Sequence, residues 1–334
     1  MTSDILNSLL KEYDKKRTSA ELDLIRRKDL LYELIPEFQD IDNELNKCAF
    51  STAKNLLNDN NSEYVLELKQ KIKELKLRKE HLLIENGYNI FYLTPFYECQ
   101  KCKDTGYIKL SNNKTEMCSC LKQKLLDISF NKSNISNLSK ENFNTFNENI
   151  FSDEVDIAKY KQNISPKRNI INIKNKCIEF VNNFDNKDYK NLLFTGNTGL
   201  GKTFMSNCIA DSLLKKGKTV LYQTAPVLLE NVIDYKMNKQ KYLNSNFYDS
   251  ILETDLLIID DLGTENLNSM KLSELFIILN TRLLNSNNKI TKTIISTNLS
   301  INDIFKFYEE RIGSRIVGNY DIYYFFGDDL RFKK

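Results

Sequence analysis

The chain has 334 residues, of which 41% are hydrophobic and 28% charged, and its formal net charge at pH 7 is +3. This length suffices for about two domains with buried cores. The small net charge excludes binding of nucleic acid through the field of the whole protein, so any such contact needs a local basic patch. No apolar run reaches the ~20 residues of a membrane span, and the first residues lack the order of a signal peptide. We therefore expect a cytoplasmic protein with no membrane contact.

The N-terminal region, residues 1–95, is predicted to be helical, because apolar residues recur at spacings of three and four. Pro36 is a predicted helix start, Ser62 a predicted N-cap and Gly87 a predicted helix stop. Periodicity does not say which surface covers an apolar face. Two hypotheses therefore stay open: a self-contained helical hairpin, and a region that binds a partner through an apolar face.

Four of the seven cysteines form two close pairs, Cys99 and Cys102 in C-x-x-C and Cys118 and Cys120 in C-x-C. Two such pairs separated by a short loop match a tetrahedral Cys₄ zinc site, closed and structural in role. Thiol redox chemistry and cysteines without a metal are the alternatives. The spacing favours a zinc module over 96–125, followed by a linker over 126–167 that is rich in Asn and Ser.

The C-terminal region, residues 168–334, alternates helical segments with short apolar strands. The predicted strands are "NLLFT", "TVLYQT", "DLLIIDD", "KTIISTN" and "YDIYYFF". Buried apolar strands that alternate with helices predict an α/β domain of three layers around a parallel sheet.

A glycine-rich motif follows the first of these strands. "GNTGLGKT" fits G-x-x-x-x-G-K-[S/T], in which glycines let backbone N–H groups approach phosphate oxygens and the following helix directs its positive end at the anion. Lys202 would reach the β- and γ-phosphates, and the Thr203 hydroxyl would hold Mg²⁺. The predicted nucleotide-binding residues are Gly196, Asn197, Thr198, Gly199, Leu200, Gly201, Lys202 and Thr203.

Polar residues at the ends of later strands extend this site. "DLLIIDD" ends in Asp260, predicted to bind Mg²⁺, and Asp261, predicted to activate the attacking water. Asn298 ends "KTIISTN", and ligands of open parallel sheets bind at that edge. Arg315 in "ERIGSRI" and Arg331 in "GDDLR" suit the charge that develops on a transferring phosphoryl group.

The order of these motifs resembles the AAA+ ATPases, and more narrowly the DnaC/DnaI group of bacterial helicase loaders, with the IstB transposition helpers as close relatives. The resemblance spans about residues 90–334 and rests on "GNTGLGKT", "LLIIDDLGTE", "ISTN", "ERIGSRI" and the cysteine segment. It implies that Lys202 and Thr203 are Walker A and that Asp260 and Asp261 are Walker B. It implies further that Asn298 is sensor 1, that Arg315 is an arginine finger acting on a neighbour's ATP, and that Arg331 is sensor 2.

Two further expectations follow from the resemblance. Asp261 stands where most AAA+ enzymes have Glu, and its shorter arm predicts slow ATP hydrolysis. Relatives of this type grip single-stranded DNA with an extra helix before Walker B. Here Lys236, Lys239 and Lys241 would contact DNA, although a solvated lysine face explains them equally well.

The resemblance implies an ATP-dependent loader that uses ATP, Mg²⁺ and Zn²⁺. It would bind a hexameric replicative helicase of the DnaB type, deliver it onto single-stranded DNA during replication initiation, and self-associate through its ATPase domain. Three alternatives stay open. They are an IstB-like transposition helper, a nucleotide-sensing adaptor that does not hydrolyse ATP, and a zinc-dependent DNA-binding module with a vestigial phosphate loop.

Overall fold

The computed structural model describes residues 2–57, 62–111, 113–128, 140–238, 247–285 and 289–332. The chain divides into two compact units. One consists of Asn7–Glu116, and the other of Met117–Lys334 together with Met1–Leu6. The boundaries predicted at residues 95, 125 and 167 stay predictions.

The first unit consists mainly of three helices, as the apolar periodicity predicts. They are α1 (Thr2–Leu34), α2 (Pro36–Leu57) and α3 (Ser62–Glu85). The predicted helix start at Pro36 is confirmed. Ser62, predicted as the N-cap, is the first residue of α3. Gly87 follows the end of α3 with a φ of 78°, a left-handed conformation that glycine adopts without steric cost and that stops a helix.

A small apolar core and a buried ion cluster hold these helices together. The core is formed by Leu31, Phe38, Ile41, Leu82 and Leu83. Beside it, Asp42 accepts a hydrogen bond from Tyr32 at 2.6 Å and pairs with Lys28 at 2.9 Å and with Lys79. Burial would raise the pKa of the Asp42 carboxyl, but the hydrogen bonds from Lys79, Tyr32 and Lys28 bring it below its ordinary value.

Several large apolar side chains of this unit remain exposed. Ile25 and Leu34 on α1 are 54% and 66% exposed. Phe50 on α2 is 74% exposed. The apolar residues of these helices are therefore only partly buried within the unit. No helix among the described residues combines the length and apolar character that crossing a bilayer requires.

Short elements that the sequence analysis missed follow α3. Strands β1 (Tyr107–Lys109) and β2 (Thr115–Met117) form a two-stranded sheet, and α4 (Ser119–Leu126) comes directly after them. Strands of three residues are too short to show a period in the sequence, so composition alone did not reveal them.

The second unit contains a five-stranded parallel sheet with helices between its strands. In chain order, its remaining elements are α5 (Ile157–Tyr160), α6 (Pro166–Asn182), β3 (Asn191–Thr195), α7 (Lys202–Lys215), β4 (Val220–Thr224), α8 (Ala225–Met237), α9 (Phe247–Glu253), β5 (Leu256–Leu262), α10 (Ser269–Asn285), β6 (Lys292–Thr297), α11 (Ile301–Phe307), α12 (Glu309–Asn319) and β7 (Tyr320–Tyr324). The strand order is β4-β5-β6-β3-β7, and every neighbouring pair is parallel. All five strands predicted from the sequence are confirmed.

The sheet is buried on both faces. Successive residues of β5 alternate between two apolar clusters, with Ile258 in one and Ile259 in the other. Residues of α6 and α7 complete the first cluster, and residues of α8, α9, α10 and α12 complete the second. This arrangement is the predicted three-layer α/β domain. Because the strands are covered on both sides, they read as continuous apolar runs in the sequence.

The end of the predicted linker packs onto this unit. Phe151 is 7% exposed within the α6–α7 cluster, and Phe146 lies 6.2 Å from Phe151 and 5.7 Å from Phe204 between ring centres. The aromatic residues in an otherwise polar segment therefore anchor it to the domain that carries the glycine-rich motif.

Candidate phosphate-binding site and cysteine cluster

The glycine-rich motif forms the loop between β3 and α7, called here the phosphate loop (residues 196–203). Gly196, Gly199 and Gly201 have φ values of 137°, 75° and 87°, conformations that favour glycine. Gly201 is the N-cap of α7, so the amino end of that helix opens onto the loop. Strand, glycine-rich bend and helix start together make an anion-binding site.

Lys202 points back over this loop. Its Nζ donates hydrogen bonds to Gly196 O at 2.6 Å, Asn197 O at 2.7 Å and Asn298 Oδ1 at 2.8 Å. Burial lowers the pKa of Lys202 to about 8, against the opposing effect of Asp261 and Asp260. The three oxygens that accept from the Lys202 ammonium group are neutral. A bound phosphate would give this ammonium a negatively charged acceptor, so the site favours an anion beside Lys202.

Asp260 is buried at the centre of the site and accepts hydrogen bonds from three hydroxyls. Thr203 Oγ1 donates to Asp260 Oδ2 at 3.0 Å, and Tyr222 and Ser296 donate to its two carboxylate oxygens. Burial, reinforced by the charge of Asp260, raises the pKa of the Tyr222 phenol, which therefore stays protonated as a donor. These donors arrive from α7, β4 and β6 and hold the carboxylate in one orientation.

Asp261 lies at an irregularity in the sheet. The register of β5 against β6 shifts between Ile259 and Leu262, and Asp261 has a left-handed φ of 54°. Its backbone N–H donates to Ser296 Oγ at 3.1 Å, which secures this uncommon conformation. Bulges beside active sites redirect side chains. Here the irregularity places two successive carboxylates at one edge of the sheet, and burial and the Asp260 charge raise the pKa of Asp261.

The donor set suits a hard divalent cation. The Thr203 hydroxyl and the Asp260 carboxylate are adjacent, and hydroxyl and carboxylate oxygens are the ligands that Mg²⁺ prefers beside substrate phosphates. The observed contact between these side chains therefore fits the predicted magnesium site.

Of the residues predicted around the phosphates, Asn298 and Arg331 lie in this neighbourhood. Asn298 accepts the bond from Lys202, and the charge of Arg331 acts on both Lys202 and Asp261. Arg331 Nε donates to Asp329 Oδ1 at 3.2 Å, although the Arg331 side chain is largely exposed.

Arg315 lies in a different environment. It is exposed on α12, where its guanidinium is 5.9 Å from the centre of the Phe276 ring, and Arg311 lies 5.0 Å from the same ring. Arg311 also pairs with Glu309 at 2.8 Å. The structure thus groups the two arginines on one aromatic side chain of α10. Within the part of the chain that the structure describes, neither arginine bonds to the phosphate loop.

One of the lysines predicted to bind DNA has partners within the protein. Lys236 Nζ lies 3.3 Å from Glu274 Oε1 and 4.6 Å from the centre of the Tyr248 ring. Tyr248 OH donates to Glu274 Oε2 at 3.0 Å and stacks on Tyr235. Lys239 and Lys241 lie outside the described residues.

The four paired cysteines come together as their spacing predicts. The Sγ atoms of Cys99, Cys102, Cys118 and Cys120 all lie within 4.8 Å of one another. Asp104 accepts from the backbone N–H groups of Glu98 at 2.9 Å and Cys99 at 2.8 Å, which orders the turn that carries the first pair. Four thiols at this separation fit the tetrahedral sulfur shell of a structural zinc ion.

Tyr222, Ser296 and Asp329 were not predicted as site residues. Ser296 could have been found, because it precedes Asn298 by two positions and alternate residues of a strand share a face. Tyr222 could not, since its approach to Asp260 depends on the pairing of β4 with β5.

Replacing Tyr222 with Phe tests the role of the hydroxyl at Asp260. The ring volume is kept while one of the three donors is lost. We expect the Mg²⁺ concentration needed for half-maximal ATP binding to rise about 10-fold, as for other groups that orient metal ligands. Titration of Mg²⁺ with a fluorescent ATP analogue measures it. Tyr323→Phe on β7 is the matched control, and an equal effect of both variants would contradict the role.

The fold and the site together define a P-loop ATP-binding protein of the AAA+ class. The chain belongs to the family of IstB-like ATP-binding proteins, whose sequence pattern matches residues 125–312. The resemblance stated from the motifs is thereby confirmed at the level of the family.

Individual relatives are replication proteins. The chain is 29% identical over 87 residues to the replicative helicase loader DnaC of Buchnera aphidicola subsp. Baizongia pistaciae, covering 26% of this chain and 35% of the relative. It is 34% identical over 127 residues to the chromosomal replication initiator protein DnaA of Wolinella succinogenes, covering 38% of this chain and 27% of the relative. The chain thus spans only 35% and 27% of the length of these two curated relatives.

A solved structure is also similar. The crystal structure of the DnaC helicase loader shares 20% identity with a TM-score of 0.44, over 57% of this chain and 99% of that one.

Proposed function

We propose that this protein is an ATP-dependent loader that binds a DnaB-type hexameric replicative helicase and delivers it onto single-stranded DNA, with ATP binding and hydrolysis as the switch. The observation that carries the proposal is the convergence of Lys202, Asp260, Asp261 and Asn298 on the phosphate loop. The choice of a helicase as the partner comes from the DnaC relative, which is described as a replicative helicase loader.

Each residue of the site has a role in the proposed ATP hydrolysis. Lys202 and the N–H groups of the phosphate loop bind the β- and γ-phosphates. Asp261 accepts a proton from the attacking water, Asn298 orients that water, and Arg331 stabilises charge on the terminal phosphate. Thr203 and Asp260 would hold Mg²⁺, which would neutralise phosphate charge when bound.

Self-association belongs to the same proposal. Arg315 is exposed on α12 and donates to no group of its own phosphate loop among the described residues. We assign it to the ATP site of a neighbouring copy, where an arginine supplied in trans can stabilise the transition state.

The helical unit and the cysteine cluster are assigned to the helicase. Exposed large apolar side chains such as Leu34 and Phe50 favour a partner-binding surface over a self-contained hairpin. Zinc on Cys99, Cys102, Cys118 and Cys120 would order the segment between the helices and the ATPase.

Contact with single-stranded DNA is placed at α8 and the residues after it. Lys236 is held against Tyr248 and Glu274, so any phosphate it contacts must compete with that carboxylate. Lys239 and Lys241 complete the proposed contact.

The test is co-purification of the full-length chain with the hexameric replicative helicase of the same organism, in ATP and in ADP. We expect a complex at micromolar concentration whose amount differs between the two nucleotides, and loss of that difference in Lys202→Ala. Lys215→Ala at the far end of α7 is the matched control. Absence of any complex in either nucleotide would contradict the loader role.

The family match favours one alternative, an IstB-like transposition helper that assembles on double-stranded DNA. This alternative predicts ATP-dependent binding of a random duplex and no helicase complex. A non-hydrolysing adaptor would instead bind both nucleotides and show no turnover. The same preparations distinguish all three in a DNA-binding assay and a phosphate-release assay.

A further inference from the structure

The segment after β7, residues 325–331, lies directly on the phosphate loop. Phe325 N donates to Thr195 O at 2.7 Å, and Leu330 N donates to Gly199 O at 3.0 Å. A Cβ atom at Gly196 would lie 2.0 Å from Phe325 O. The loop and the C-terminal segment are therefore built against each other, and glycine is needed where they touch.

Asp329 occupies the space beside the second glycine of the loop. A Cβ atom at Gly199 would lie 1.8 Å from Asp329 Oδ1 and 2.2 Å from its carboxylate carbon. Gly199 also has a positive φ of 75°. Glycine at position 199 is therefore needed for two reasons. It allows the turn of the phosphate loop, and it leaves space for the Asp329 carboxylate beside that loop.

The same carboxylate oxygen holds Arg331. Asp329 Oδ1 accepts the Arg331 backbone N–H at 3.0 Å and the side-chain Nε at 3.2 Å. Nε is the inner nitrogen of the guanidinium, so this bond fixes the plane of the group. It leaves the N–H groups of the two terminal nitrogens for another acceptor.

Arg331 is held beside the phosphate loop. The preceding residue, Leu330, donates its backbone N–H to Gly199 O at 3.0 Å, and Asp329, which accepts from Arg331, lies in the space beside Gly199. Because a glycine-rich loop at a helix start is the element that binds phosphate, the guanidinium is tethered at the edge of the proposed phosphate site.

We infer that Asp329 is a positioning residue for Arg331: seated on Gly199, it holds the guanidinium by Nε so that the terminal nitrogens donate to the γ-phosphate. It thereby sets the preference for ATP over ADP. This inference rests on the proposed ATP site and deepens it. ADP lacks the γ-phosphate, so the contribution of Asp329 is confined to ATP.

Paired substitutions at Asp329 separate positioning from charge. Asp329→Ala removes the acceptor, and we expect ATP affinity to fall about 2- to 12-fold, the cost of ordering one long side chain on binding, with ADP affinity unchanged. Asp329→Asn keeps an oxygen acceptor and loses the charge, so it should retain the wild-type ratio of the two affinities. If the carboxylate instead competed with phosphate for Arg331, Asp329→Asn would bind ATP more tightly than wild type, and the inference would be overturned.

The measurements are equilibrium titrations of the full-length chain with fluorescent ATP and ADP analogues. Asp328→Ala is the matched control, because Asp328 belongs to the same segment but bonds Lys159 at 2.6 Å and Tyr160 at 2.9 Å. Asp328→Ala should leave the ratio of ATP affinity to ADP affinity unchanged. In an Arg331→Ala background, Asp329→Ala should have no further effect on that ratio.

The outcomes also separate this inference from the proposed function. A wild-type chain that binds neither nucleotide would contradict the ATP site itself. A wild-type chain that binds both, with Asp329→Ala weakening ATP and ADP equally or leaving both unchanged, would overturn only the role of Asp329.

Discussion

Asp261→Asn should lower the rate of ATP turnover by about 10²- to 10⁴-fold, the contribution of a positioned general base, while ATP binding remains. The asparagine side chain has nearly the same shape but cannot take a proton from water. Asp261 is placed for this role by the β5 irregularity and by the bond from its backbone to Ser296, neither of which involves the carboxylate. The substitution should therefore leave the site assembled, and phosphate release in single-turnover and steady-state assays measures the loss.

The matched control for this prediction is Asp321→Asn. Asp321 is an exposed carboxylate of the same sheet, but it pairs in register with Leu192 near the start of β3 and so lies toward the opposite edge from the phosphate loop. Asp321→Asn removes the same charge as Asp261→Asn and should leave the rate of ATP turnover unchanged. If Asp261→Asn hydrolysed ATP at the wild-type rate, another group would be the base and the assignment of Asp261 would be wrong.

Cys102→Ser should lower zinc affinity by about 100-fold or more, since a structural zinc site contributes roughly 10–16 kcal/mol through four ligands. Cys102 is buried, and its backbone carbonyl accepts bonds from Thr105 N at 3.1 Å and Thr105 Oγ1 at 2.7 Å, so the turn that presents its sulfur is rigid. Losing one thiolate leaves an open shell that serine oxygen fills poorly. The metal content of the purified full-length chain, with competition by a chromophoric chelator, measures the change.

The matched control for the zinc site is Cys48→Ser. Cys48 is also buried, but it lies in α2 and outside the cluster. This variant should retain one zinc ion per chain even if its stability falls. A wild-type chain that contains no zinc, and whose circular dichroism and melting are indifferent to added zinc, would contradict the prediction for all four cysteines.

The parts predicted correctly from the sequence are those encoded by neighbouring residues. The phosphate loop is a contiguous motif, and the structure places it between strand β3 and helix α7, as the sequence predicts. The cysteine pairs have the spacing of a ligand set, and they meet. The strands were recognised because a sheet covered on both faces requires unbroken apolar runs.

Contacts between distant elements were decided only by the tertiary structure. Asp260 receives hydroxyls from β4, α7 and β6, a set that depends on the strand order and on the register of each pair. The resemblance implied a DNA contact for Lys236, with a solvated lysine face as an equal alternative, and the pairing of Lys236 with Glu274 of α10 was not visible in the sequence. Local periodicity reports which face of an element is apolar, but not which element covers it.

The phosphate loop combines features encoded by neighbouring residues with features that depend on tertiary contacts. The sequence by itself determined its glycines, its lysine and its phosphate-binding character, because a tight turn of backbone N–H groups requires residues without side chains in fixed order. Only the tertiary structure decided that Gly199 also makes room for Asp329, and that this carboxylate holds Arg331. Gly199 precedes Asp329 by 130 positions, and their meeting depends on β7 lying beside β3, which no local pattern encodes.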